Sequence, residues 1–230
     1  MKKFVFGAIA VLSTLTLIGC GGGDHHDVVV VPPPPTVVNI LSDPTLDGDI
    51  TLDLTTGGIG APAVAANTGN VLAGIDVSPV TGSSVSETRG FLIFPLSSIP
   101  VNASIRFASI TVFVNNVSFV TNSTAPIPFL LDSIDTILFP PPLRSADFDA
   151  PFRITKSLSF FGGDAGTFVE INVTSLLADA QAGGFMDFEV RFLFDQPRFQ
   201  NDPTTTRGLI EIDDRPTNNS RAPVLYVEYF

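Results

Sequence analysis

Two apolar strands joined by a proline-bounded turn set what this chain can fold into. They lie within residues 89–114, RGFLIFPLSSIPVNASIRFASITVFV. Phe91, Leu92, Ile93 and Phe94 form an unbroken apolar run, the pattern of a strand covered on both faces. Pro95 and Pro100 have no backbone N–H, so sheet pairing must stop near them. Ser97, Ser98 and Asn102 supply turn chemistry in between. Beyond the turn, Ala108, Ile110, Val112 and Val114 alternate with Ser109, Thr111 and Phe113, a period of two with one face toward a core.

The same signal recurs along the chain. Residues 50–54 alternate, and 70–77 form a short strand ended by Ser78-Pro79. In 167–174, TFVEINVT, Val169, Ile171 and Val173 share a face. The cleanest alternation is 187–195: Phe188, Val190, Phe192 and Phe194 lie on one side. Glu189 and Arg191 lie on the other, a face expected to tolerate substitution. Residues 208–212 and 224–230 add closing strands, and 175–181 reads as a short helix with Leu176, Leu177 and Ala180 inward and Gly183-Gly184 as its stop. Residues 127–139 are apolar without a clear period and run into Pro140-Pro141-Pro142, where no helix can continue. Many short strands, turn-rich loops and one short helix predict an all-β fold, a jelly-roll-like β-sandwich.

The first residues carry an address. Lys2 and Lys3 precede an apolar stretch too short to span a bilayer, which takes about 20 residues. It ends in Leu17-Ile18-Gly19-Cys20, which resembles a bacterial lipobox. That resemblance implies a signal peptide over 1–19, cleavage before Cys20 and lipidation of Cys20. Acyl chains hold a protein to a membrane at about 0.8 kcal/mol per buried CH₂. Gly21 rather than Asp after the Cys implies, by the sorting rule of enteric bacteria, the outer membrane; the periplasmic and cell-surface faces both stay open. Residues 20–36 form a tether, flexible at Gly21–Gly23 and extended at Pro32–Pro35. His25 and His26 within it read as solvated rather than as metal ligands, because no rigid geometry holds them. A single domain is expected over 37–230.

Charge and residue supply then limit the chemistry. With Lys2 and Lys3 removed, ten Lys and Arg face 23 Asp and Glu, a formal charge of −13. Nucleic acid and anionic surfaces are therefore poor partners. The only histidines are His25 and His26, so the domain has no imidazole base and no Ser-His-Asp or Cys-His device. Asp147 with Asp149, and Asp213 with Asp214, are read as solvated loop carboxylates. The densest basic set is Arg144, Arg153 and Lys156. Phe160 and Phe161 next to Gly162-Gly163 are read either as core or as an exposed loop tip. Asp43, Asp47, Asp49 and Asp53 cluster near the first strand and are weak calcium candidates, since Ca²⁺ takes oxygen ligands from loops. Their spacing is not that of an EF-hand, and solvated turn residues are the other reading.

The order of 89–114, then FVEINVTSLLADAQAGG, then IEIDDRPTNNSRAPVLYVEYF resembles the DNRLRE family of secreted β-sandwich domains. The pattern is R-x-x-x-x-F-x-L-S-S-I-P, an I-x-x-A-x-I strand, a V-T end before a short helix, and a closing strand with Arg221, Pro223, Leu225, Val227 and Tyr229. Residues 117–161 lie outside it. The resemblance implies a domain similar to carbohydrate-binding modules, and a structural calcium as in many such sandwiches. Two functions follow as expectations. One is a non-catalytic envelope lipoprotein presenting a binding module for a neutral glycan. The other is a structural or protein-interaction lipoprotein, which the absence of Trp and the presence of only two Tyr favour.

Overall fold

The computed structural model describes residues 33–55, 60–77, 85–120, 124–215 and 220–230. Cys20, the signal segment, the tether up to residue 32 and the loop residues 57–58 and 81–84 fall outside them, while Thr36, assigned to the tether, opens β1. The strands are β1 Thr36–Leu41, β2 Gly48–Asp53, β3 Ala63–Ala66, β4 Asn70–Val77, β5 Val85–Pro95, β6 Ile105–Phe119, β7 Ile127–Ile134, β8 Phe152–Phe160, β9 Thr167–Asn172, β10 Asp187–Phe194, β11 Gly208–Asp213 and β12 Val224–Tyr229. Two short helices interrupt them, α1 Thr174–Ala182 and α2 Gln196–Asn201. The strands form one strongly curled antiparallel sheet, a half-barrel, in the order β1-β12-β6-β11-β4-β5-β10-β7-β8. β2 and β3 extend from the other edge of β5, and β9 from that of β6.

Curling comes from two long strands that change partners. β6 pairs with β12 over 105–111 and with β11 over 114–119, with a register shift in each ladder. Such bulges bend a strand and raise its local twist. β5 pairs with β4 through residues 85–88, then with β10 through 90–95 along the same edge. Gly90 sits at that handover. A Cβ there would lie 2.7 Å from Val71 Cγ1 and 2.9 Å from the Leu72 carbonyl oxygen, so only glycine lets β4 pass this close.

Alternation places the core as the sequence predicts. Leu92, Phe94, Ala108, Ile110, Val112, Val114, Phe188, Val190, Phe192 and Phe194 all point into the main core inside the curl. Pairing in β5 stops at Pro95, and 127–139 resolves into β7 followed by a turn. Helix α1 stands where it was expected. The expectation of one short helix is corrected to two: Asp195 caps α2 by accepting the Arg198 N–H at 3.0 Å, and Pro197 stands in the first turn, where its missing N–H costs nothing.

The opposite face of β5 and β10 is a second, smaller core and not a solvated surface. Phe91, Ile93 and Ile50 pack there against Leu143 and Phe148. The cover is a strap over residues 139–151, including a 3-10 turn at Ser145–Asp149. Beneath it Glu189 and Arg191 are 2% and 3% exposed, which overturns the expectation of a tolerant outer face.

Candidate functional site

Three places concentrate chemistry. Under the strap, Arg191 Nη1 donates to the carbonyls of Asp147, Phe148 and Ala150 at 3.3, 2.9 and 2.8 Å. Its Nη2 meets Asp132 Oδ2 at 2.6 Å, directly across the β10–β7 ladder. Arg89 reaches the same loop from β5, bonding the Phe148 carbonyl and Asp149 Oδ1 and stacking 3.8 Å from the Phe148 ring centre. Two guanidiniums therefore pin one turn by its carbonyls, a task for which a planar five-donor fork is suited. Glu189 lies alongside, with Oε1 unpartnered. Burial, then the charge of Asp147, pushes its carboxyl up to about 8, against the pull of Arg191. A displaced carboxyl in a cleft marks an acid catalyst, but this one is sealed beneath the strap, where a substrate has no access.

The second place is a seam where the turn after β1 meets β5 and the end of β11. Asp43 N–H bonds the Ile93 carbonyl, and Asp47 Oδ1 takes the Ile93 N–H at 2.6 Å, standing in for a strand partner. Asp214, anchored by its own N–H to the Gly69 carbonyl, accepts the Ser42 hydroxyl at 3.3 Å. Burial and the Asp214 charge hold Asp47 well above the usual carboxylate range, and burial raises Asp214 to about 6. Asp49, on β2, accepts the Leu72 N–H at 3.2 Å and is raised by burial to about 6.

The four calcium candidates are thus separated by the fold. Asp43 caps its own turn through Thr45, and Asp53 is exposed and bonded to Thr55. Asp47 and Asp49 are buried, but they serve β5 and β4 respectively. Among the described residues no three carboxylate, imidazole or thiol groups converge on one point. The reading of Asp147, Asp213 and Asp214 as solvated is corrected, since all three are buried. Asp213 is gripped by Arg215 through two bonds of 2.9 and 2.6 Å, which hold its carboxyl below the usual range. Only Asp149 of the two sequence pairs is exposed. Sequence reasoning missed Asp132, Glu189, Arg191 and Ser42; the unbroken apolar run at 91–94, covered on both faces, was the signal that its neighbour β10 would be covered too.

The third place is the partly exposed outer face of β9, β6, β12 and β1, in which Phe113 and Ser109 are themselves buried. Phe113 of β6 and Phe168 of β9 stand opposite each other with ring centres 5.0 Å apart, edge to face. Phe168 is 56% exposed. Arg221 covers the other side of Phe113 at 4.1 Å and leans on Asp213 at 3.7 Å. Six residues along β6, about 20 Å at the usual strand rise, Phe107 pairs with Tyr226 at 6.1 Å. Tyr226 Oη donates to Glu228 at 2.8 Å, and Glu228 also pairs with Arg106. Thr111 and Glu170, and Ser109 and Asn172, lie between the two aromatic pairs. Phe161 is exposed as one of the two loop-tip aromatics, whereas Phe160 is core. The basic set disperses: Arg153 is held by Asp179 and Asp135, and Lys156 donates to the Asn172 carbonyl. At one end of the molecule Leu96, Ile99, Phe185, Val101 and Met186 line a cleft of about 200 Å³, the last two 88% and 82% exposed.

No family model matches the chain, and no curated protein matches it in sequence.

Proposed function

We propose that this chain is a non-catalytic lipoprotein of the cell envelope, anchored through Cys20 in the outer membrane. On this reading its folded part is a jelly-roll-like β-sandwich of the DNRLRE type that binds a neutral glycan. The curled antiparallel sheet, with its partner exchanges in β5 and β6, is compatible with two packed sheets of that kind. One observation carries the binding reading: two aromatic pairs on one sheet face, with Phe168 exposed over the buried Phe113 and with Thr111, Glu170 and Asn172 reaching solvent between the pairs. Rings stack on the apolar faces of sugars, while hydroxyls and amides match their edges. The cations near this face are already engaged, Arg221 by Phe113 and Asp213, and Arg106 by Glu228. Among the described residues a ligand there meets no free positive cluster, and the net charge repels polyanions within about 8 Å at physiological salt.

A second reading rests on the cleft by Val101 and Met186, an apolar surface suited to a protein partner in an envelope assembly. The two separate in a titration of neutral and uronic-acid oligosaccharides at two salt concentrations. Weak, salt-insensitive binding of the neutral sugars is expected, falling at least fivefold in Phe168→Ala with no change in melting temperature. Tight, salt-sensitive binding of the acidic sugar, lost in Arg153→Ala, sinks the neutral-glycan reading. Binding of no sugar at all leaves the cleft as the functional surface.

A further inference from the structure

We propose that one end of the folded part docks onto the surface of a lipid bilayer through apolar side chains carried on neighbouring loop tips. This rests on the lipoprotein reading above, and it gives the cleft by Val101 and Met186 to lipid instead of to a protein partner. Val101 lies on the turn between β5 and β6, and Met186 on the turn between α1 and β10, both almost fully exposed. The turn after β7 carries Ile137 and Leu138, 67% and 68% exposed. Phe152 opens β8, Phe230 follows β12, and both rings are more than half exposed. The ladders put these positions at one end of the sheet: Pro95 pairs with Asp187, Ile134 with Phe152, and Ile105 with Tyr229. Apolar side chains gathered this way mark an interaction surface.

The tips are held to one another. Leu96 N–H donates to the Met186 carbonyl at 2.8 Å, and Gln181 of α1 to the Pro100 carbonyl at 2.5 Å. Ser104 and Phe230 exchange backbone bonds of 3.0 and 3.1 Å. Arg153 joins Asp135 to Asp179. The N–H groups of Ile137 and Leu138 both donate to Asp135 Oδ1, at 3.0 and 3.2 Å, so these side chains project from a turn whose donors are already satisfied. Irregular backbone entering a water-poor layer needs that. The course of the chain selects lipid as the occupant. Thr36 lies opposite Tyr229, so the segment that bears Cys20 enters the fold at this end, beside Phe230. A tether over 20–36 spans at most roughly 55 Å when extended. An anchored domain therefore stays close to the bilayer, and weak apolar contacts suffice because docking is intramolecular. Among the described cations here, Arg153 is held by two acids and Arg106 by Glu228, while Asp187 adds a negative charge. The contact is thus apolar and draws nothing from anionic headgroups.

The chain contains no Trp, so a single introduced Trp reports alone. Val101→Trp, Leu138→Trp and Met186→Trp are made in the acylated mature protein, with Phe161→Trp, beyond the opposite end of β8, as reference. Each is reconstituted into phosphatidylcholine vesicles with and without brominated acyl chains. The expected result at the three tips is blue-shifted emission and bromolipid quenching at least about twofold stronger than at the reference. Replacing part of the lipid by phosphatidylglycerol, or raising the salt, should change neither. If the acylated protein floats with the vesicles but the tips are quenched no more than the reference, the anchor stands and the docking is overturned. Tips shielded from aqueous acrylamide yet untouched by bromolipid are covered by a second copy of the chain, which overturns it too. Quenching that needs phosphatidylglycerol and vanishes in salt overturns the apolar basis. A protein that carries no acyl group on Cys20 by mass spectrometry and does not float overturns the lipoprotein reading itself, and the docking falls with it. All three tips are exposed, so Trp there leaves the core intact, and any one variant that folds decides.

Discussion

The strap and the seam both bury carboxylates against the sheet, and they differ in where the balancing charge comes from. Under the strap it is covalently part of the chain. Arg191 stands opposite Asp132 and spends Nη1 on three loop carbonyls, so cation and anion are paired inside the fold, although Arg191 Nε and Asp132 Oδ1 stay without a hydrogen-bond partner. In the seam Asp47 and Asp214 meet with no guanidinium or ammonium between them. The lesson concerns exchange. The Arg191–Asp132 pair carries its own counter-charge, whereas the seam pair, like Glu189 beside the strap, answers burial by holding a proton from solution.

The largest test of that contrast is Arg191→Ala. It strands Asp132 and uncouples the strap, and the expected loss is about 3–5 kcal/mol in urea melts, as for other broken buried pairs. Phe192→Ala, one residue on and facing the main core, is expected to lose a similar amount, about 3–5 kcal/mol. Near-equal losses at adjacent residues on opposite faces are what two cores require; a loss below about 0.5 kcal/mol at Arg191 would make the strap a surface ornament.

A smaller effect is the pH dependence of stability. Glu189 is raised to about 8, Asp49 and Asp214 to about 6, and Asp47 is raised as well. In each case the folded chain holds a proton that the unfolded chain releases near pH 4. Stability from these groups is therefore complete below about pH 4 and declines as pH rises through 6 and then 8. Denaturation midpoints should fall steadily from pH 5 to pH 9, the reverse of an ordinary acid-sensitive protein. Glu189→Gln should flatten the part of the decline that runs up to pH 8, an effect on the order of a few kcal/mol. An unchanged slope in that variant would show that Glu189 is not the buried acid that sets it.

Smallest is Ser42→Ala. Removing one long hydrogen bond to Asp214 should cost about 1 kcal/mol in urea melts.

How much of this was readable in advance depends on the range of the interaction. The inward faces of β5, β6 and β10 follow from alternation among neighbours in sequence, and Pro95 ends its strand because it lacks a donor. The cover over Glu189 and Arg191 was not readable. It is made by 139–151, a proline-rich stretch with no period, whose Leu143 and Phe148 reveal their role only once folded onto Phe91 and Ile93. Helix α2 was hidden for a local reason: Asp195 reads as the end of a strand and also as a helix cap, and only the tertiary position of Arg198 selects the second. The seam was the least legible. Asp47 draws attention through nearby aspartates, yet its partner lies at the far end of the chain, and nothing in either neighbourhood names the other.

One consequence of the topology is mechanical. β1 is the first strand among the described residues, and it pairs along its whole length with β12, from Thr36 opposite Tyr229 to Leu41 opposite Val224. A pull along β1 from its N-terminal end is thus directed parallel to the ladder. All six residue pairs bear the load in shear instead of parting one after another. β12 hands that load directly to β6, and these are the strands that display Tyr226, Phe107 and Phe113. Tension between a tether and anything gripped on that face passes through a single sheet, leaving the Phe-rich core inside the curl out of the line of force.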